Sequence, residues 1–186
     1  MTEQEGQRRI AFHEAGHAVA DVLLCLPFES VSIRQMHHSS TWSKEGKEVI
    51  IEGVCSEGLT LPQERTDRLI RELNAGKLDL RDAISTMAGP QAEAMLVGEI
   101  DQEGNEAACL DMNSIAVCCR IAAAPGVPFE QVPPCAMEST IIKGLAIQAE
   151  KLLQENWAAV KVVANELLKR ECLTYSEVGA IVGTPA

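Results

Sequence analysis

Two histidines four residues apart, with a glutamate beside the first, carry the clearest chemistry in this 186-residue chain. They are His13, Glu14 and His17, and their spacing matches the H-E-x-x-H pattern of metal-binding helices. Positions i and i+4 share one face of a helix, so both imidazoles can face a single Zn²⁺ ion. Glu14 lies beside them, where it can take a proton from a zinc-bound water as general base. One further protein ligand would leave a fourth position open, as catalytic zinc requires.

The third ligand is predicted to be a carboxylate, because the chain has only two other histidines, His37 and His38. Both lie in a polar segment that is typical of an exposed loop. The extended pattern with a third histidine six residues after the second also fails, since Ala20 and Leu23 occupy the required glycine and histidine positions.

Three carboxylates stand out by their surroundings. Asp111 and Glu93 each lie in an otherwise apolar helical segment, where an unpaired buried carboxylate is costly unless it binds a metal. Asp21 follows His17 by four residues and can orient a histidine, although a surface or helix-end position is an equally good interpretation. The chemistry of these residues does not rank Asp111 above Glu93.

Composition limits the class of protein. A net charge of −11 without a long basic run argues against nucleic acid as the main partner. No segment approaches the length of uncharged apolar sequence needed to cross a membrane, and the first residues lack the apolar core of a signal peptide. We therefore expect a cytoplasmic protein with no membrane contact. The seven cysteines form no C-x-x-C pair and are predicted to be buried, reduced thiols.

The hydrophobic pattern predicts a mainly helical, α+β domain over residues 1–186, with a small sheet beside the H-E-x-x-H helix. That helix is apolar nearly all round, so we expect it to be buried and to end at Pro27. Residues 1–124 would form the metal-site part and 125–186 a C-terminal helical part. Two antiparallel strands are expected at 29–36 and 48–55, separated by a polar loop. The predicted later helices span about 62–76, with Pro62 at the first helical position, 79–98 with a kink or break at Gly89-Pro90, 107–124, 135–154, 156–170 and 174–182.

The segment Arg9–Val19 closely resembles the start of the peptidase domain of FtsH-type, ATP-dependent zinc proteases. Later segments fit that family in order. Residues 87–94 are similar to its Gly-Gly-Arg-x-Ala-Glu-Glu segment, and residues 105–111 stand where it has Gly-Ala-x-x-Asp. Residues 167–173 are similar to its closing Leu-Leu-x-x-Glu-Thr-Leu, so the resemblance spans nearly the whole chain.

The resemblance implies a role for each of these residues. His13, His17 and Asp111 would bind Zn²⁺, and Glu14 would be the general base. Glu93 would lie close to the site and hold a histidine in its metal-binding tautomer. The family is hexameric and binds unfolded substrate as a strand added to its small sheet, which implies the same for a strand near 49–54 here.

The predicted function is a zinc metalloendopeptidase that hydrolyses unfolded or flexible polypeptides. The chain carries no Walker A motif or ATPase module, unlike the family proteases, so we expect hydrolysis without ATP. One alternative is a non-catalytic, oligomeric zinc-binding interaction module. Another is a peptidase subunit that depends on a separate ATPase in trans. The simplest alternative is a helical domain without metal, whose histidines are satisfied by ordinary hydrogen bonds.

Overall fold

The computed structural model describes residues 2–44, 47–75, 77, 79–98, 111, 115, 116, 119 and 136–183. Within these residues the chain is mainly helical with one small antiparallel sheet, which confirms the predicted mainly α, α+β class. The elements are α1 (Glu3–Leu23), β1 (Ser30–Lys44), β2 (Lys47–Thr60), α2 (Gln63–Asn74), α3 (Leu80–Val97), α4 (Ala136–Glu155), α5 (Trp157–Arg170), β3 (Cys172–Thr174) and α6 (Tyr175–Val182).

Helix α1 is the centre of the fold. It begins with a capping box in which Thr2 and Glu5 satisfy each other's backbone groups. Every residue from Ala11 to Val22 is buried, as the all-round apolar pattern predicts. The helix ends at Leu23 rather than at Pro27, because Cys25 adopts a left-handed conformation with φ 55°.

The hairpin formed by β1 and β2 is longer than the sequence suggests. The predicted loop after residue 36 is wrong, since Lys44 pairs with Lys47 and the strands are continuous up to that point. Polar residues such as serine and threonine still form strands when one face of the sheet is open to water. His37 and His38 belong to β1, and the predicted exposure of their side chains lies outside what the structure describes. The three-residue strand β3, too short for a sequence signal, pairs with the start of β1.

One hydrophobic core joins both halves of the chain. Helix α1 packs against α3, α5 and α6, and the core includes residues from all of them. Other sequence predictions hold in detail: α3 begins after the N-cap Asp79 and ends at Gly98, and α6 begins with a capping box between Thr174 and Glu177. Of the helix predicted over 107–124, the four described residues are helical and the others lie outside the described part.

The cysteine prediction is half right where the structure tests it: the described thiols are free, as predicted, but none of them is buried. Cys25 is an exposed free thiol in the turn after α1, and Cys119 and Cys172 are free and half-buried. The other four cysteine side chains lie outside what the structure describes. A search of the described helices for a bilayer-spanning segment finds none of sufficient length and apolar content.

A buried ion cluster joins α1, α2 and α3. Asp21 is fully buried, which excludes the surface position considered for it, and it receives two bonds from Arg65 of 2.5 and 3.1 Å. Arg65 also bonds Asp82 at 3.0 Å and the backbone carbonyl of Pro27 at 3.0 Å. Burial raises the pKa of Asp21, and the Arg65 guanidinium opposes that shift.

Replacement of Arg65 should therefore destabilise the protein strongly. Arg65→Met would leave Asp21 buried without a cation and Asp82 with Arg68 alone, which is expected to lower the free energy of unfolding by about 3–5 kcal/mol. Urea denaturation followed by circular dichroism measures this change. The control is Arg81→Met, an exposed arginine paired with Asp79, which should leave the free energy of unfolding nearly unchanged because water screens the pair. Similar, small losses in both variants would contradict the importance of the buried cluster.

Candidate metal centre

The structure brings three metal-binding side chains to one point. His13 Nε2 and His17 Nε2 are 3.1 Å apart. Asp111 Oδ2 lies 3.1 Å from His13 Nε2 and 3.3 Å from His17 Nε2. Both imidazoles are buried, while Asp111 is partly accessible. Within the described residues, this is the cluster whose donor atoms could hold a metal ion together.

The spacing of these donors fits zinc. Ligands about 2.0–2.1 Å from a tetrahedral Zn²⁺ ion are about 3.3–3.4 Å from one another, close to the three distances observed. Asp111 Oδ2 is also buried, with the two Nε2 atoms beside it but no hydrogen bond of regular geometry to the described residues, as expected of an oxygen that shares a metal with them. Two imidazoles with one carboxylate are a donor set that zinc accepts, and they leave one coordination position open.

His17 is oriented by the backbone of α3. Its Nδ1 donates a hydrogen bond to the carbonyl oxygen of Ser85 at 2.8 Å. A donating Nδ1 leaves Nε2 without a hydrogen, so its lone pair is directed at the other two donors. The sequence gives no signal for Ser85, because the group that acts is a backbone carbonyl.

His13 is oriented by Glu93, the other carboxylate considered as a ligand. Glu93 Oε2 lies 3.5 Å from Nδ1 of His13, on the side of the ring that faces away from the metal donors. The second carboxylate oxygen of Glu93 accepts a bond from Arg9 Nε at 2.6 Å. Between the two carboxylates that residue chemistry left open, Asp111 is therefore the one beside both Nε2 atoms.

A glycine in α3 makes room for the His17 ring. A Cβ atom at Gly89 would lie 2.2 Å from His17 Nε2, closer than any real contact. The sequence marked Gly89-Pro90 as a kink or break, but α3 continues through Pro90 to Val97. The role of this glycine is to allow the histidine to approach the helix.

Glu14 faces the same cluster without being one of its three donors. It is buried; burial lowers the pKa of both histidines, and the negative charge of Glu14 adds to the larger effect of Asp111 in raising it. Its Oε2 lies 3.3 Å from where a Cβ atom of Gly58 would stand, and Gly58 has φ +65°. Strand β2 therefore approaches Glu14 at Gly58, four residues beyond the segment expected to bind substrate.

The electrostatics of the cluster favour a cation. Burial lowers the pKa of His13, but Asp111 and Glu93 outweigh it and raise the value to about 10. Burial raises the pKa of Asp111, and the two histidines outweigh it and lower the value to about 2. Three carboxylates and one guanidinium thus surround two imidazoles and favour positive charge there, which protons on the imidazoles supply without a metal and a divalent cation would supply by displacing them.

Comparison with known proteins does not assign this chain to a family, so the interpretation of the site rests on its geometry. No model of a known protein family matches the chain, and no curated protein matches it either.

Replacement of Gly89 should disrupt the metal centre. Gly89→Ala would force His17 to move, so we expect zinc affinity to fall by about 10-fold or more. Competition with a chromophoric chelator measures the dissociation constant. Gly144→Ala is the matched control, because its Cβ would meet no atom within 4 Å. That variant should keep its zinc affinity and be stabilised by about 0.5–1 kcal/mol. Unchanged zinc binding in Gly89→Ala would contradict the site.

Proposed function

We propose that this protein is a zinc-dependent endopeptidase that hydrolyses unfolded or flexible polypeptides. The observation that carries the proposal is the triangle of donors from His13, His17 and Asp111, with Glu14 beside it on the same helix. A glutamate next to a zinc site, but outside its ligand set, is the arrangement that water activation requires.

The residues of the site would have different roles in the proposed hydrolysis. When bound, zinc supplies a Lewis acid that polarises the scissile carbonyl and lowers the pKa of a water molecule. Glu14 accepts the proton of that water and passes it to the leaving amine. Because Glu14 is buried against β2, its carboxylate is held close to the site and is little hydrated, which favours proton transfer. The reaction uses no nucleophilic side chain, so the cysteines take no part in it.

The sheet supports a polypeptide substrate. Strand β2 lies at the edge of the sheet, in the order β2-β1-β3, and reaches Glu14 at Gly58. A substrate added along this edge would be held by backbone hydrogen bonds, with a peptide bond close to the general base. Only an extended chain can pair in this way, which favours unfolded or flexible segments over folded proteins.

Kinship with FtsH-type peptidase domains belongs to the same proposal. The segment around His13 and the order of the later motifs support it. Kinship with this family implies a homo-oligomer, such as a hexamer. We also place the activity in the cytoplasm, because an odd number of cysteines without a C-x-x-C pair is typical of reduced thiols.

Glu14→Gln separates catalysis from metal binding. The zinc-loaded variant should lose about 10²–10⁴-fold of its activity on casein without ATP, because the general base is gone, while its zinc content stays unchanged. Glu3→Gln, at an exposed position of the same helix, is the control and should remain as active as the wild type. If neither the wild type nor the variant cleaves casein although both hold zinc, the protein is a binding module or needs a separate ATPase.

Asp111→Ala tests the third ligand. Loss of the carboxylate should release zinc together with activity, in contrast to Glu14→Gln. We expect the affinity to fall by more than the roughly 10–100-fold that loss of an outer partner costs. Metal analysis after dialysis against a weak chelator measures this. Stoichiometric zinc in the dialysed variant would show that another group supplies the third ligand.

A further inference from the structure

The two histidines of the metal centre are held by unequal partners. His17 Nδ1 bonds a backbone carbonyl at 2.8 Å, a group that α3 itself keeps in place. His13 Nδ1 faces the side chain of Glu93 at 3.5 Å, an ion-pair distance rather than a short hydrogen bond. A glutamate side chain has several rotamers, so its ability to hold a histidine depends on what holds the glutamate.

Arg9 is the residue that holds it. Its Nε donates to Glu93 Oε1 at 2.6 Å, a charge-assisted hydrogen bond of short length. Arg9 precedes His13 by four residues on α1, so both side chains leave the helix on the face that meets α3. The side chains therefore form a row, from the guanidinium of Arg9 through the carboxylate of Glu93 to the imidazole of His13, which is one of the three metal donors.

The consequence for His13 is geometric. With Oε1 occupied by Arg9, Oε2 is the carboxylate oxygen that faces Nδ1 of His13. Nδ1 of His13 is buried and makes no hydrogen bond to the described residues, so the charge of the carboxylate at 3.5 Å is what favours a hydrogen on Nδ1, which leaves the lone pair of Nε2 for the metal. The guanidinium is permanently charged, and its short bond holds Oε1 of Glu93 on the side away from His13.

We propose that Arg9 is a positioning residue of the metal centre, which fixes Glu93 so that Glu93 orients His13 toward the metal. This role rests on the proposed zinc site but not on peptidase activity. It predicts that Arg9, which is neither a metal ligand nor the general base, affects the affinity of the site for zinc.

The test is the zinc affinity of Arg9→Met, measured by chelator competition. We expect a loss of about 10-fold, the range found when an outer partner of a ligating histidine is removed. Arg8→Met is the matched control, since Arg8 lies over the Phe12 ring at 5.8 Å and should leave the affinity unchanged. NMR of the histidine nitrogens adds a readout that a merely structural role would not move, because Arg9→Met should populate the other tautomer of His13. Should Arg9→Met fail to fold, Arg9→Lys keeps the charge without the planar fork and should still bind zinc several-fold more weakly.

A double-mutant cycle tests whether Arg9 acts through Glu93. In a Glu93→Gln background, the further change Arg9→Met should cost no additional affinity. Additive losses, or wild-type affinity in the folded Arg9 variants, would overturn the proposal while leaving the zinc centre intact. A wild-type protein that binds no zinc would overturn both together. Zinc binding without casein cleavage would overturn only the proposed ATP-independent peptidase activity.

Discussion

A polar stripe on a buried helix is the constraint from which the rest of the structure follows. Arg9, His13, His17 and Asp21 recur every four residues along α1 and so share one face. The last three of them are buried. Polar groups in such a position are costly unless each one has a partner, so the neighbouring elements have to supply those partners.

Helix α3 supplies most of them, and its close approach makes this possible. A Cβ atom at Gly16 would lie 2.5 Å from the carbonyl oxygen of Ala88, so only glycine lets the two helices come this near. Along this contact, Glu93 meets Arg9 and His13, and the Ser85 carbonyl meets His17. The H-E-x-x-H segment therefore also has a packing role, since Gly16, its fourth residue, sets the distance at which α3 approaches the histidines.

The metal centre lies between two ionic clusters of different character. At one end of the stripe, Arg65 is enclosed by Asp21 and Asp82 and fastens three helices together. At the other end, Arg9 remains partly accessible and pairs with Glu93 beside His13. The first cluster maintains the packing, and the second is the one that we propose positions a ligand. Glu14 lies against Gly58 of β2 instead, which keeps this proposed general base apart from the partners of the histidines.

Local spacing determined by itself which residues share a helix face and where several helices begin and end. The pair His13 and His17, the glutamate beside them, the α3 caps at Asp79 and Gly98, and the α6 capping box were all predictable, because each depends on residues within one or two turns. Tertiary structure decided what depends on distant contacts. Asp111 rather than Glu93 lies beside the Nε2 atoms of both histidines. Asp21 is buried and pairs with an arginine 44 positions away. Strand β1 extends through a segment whose composition is typical of a loop. The reason is physical, since periodicity reports the face on which a side chain lies but not which atom the folded chain places opposite it.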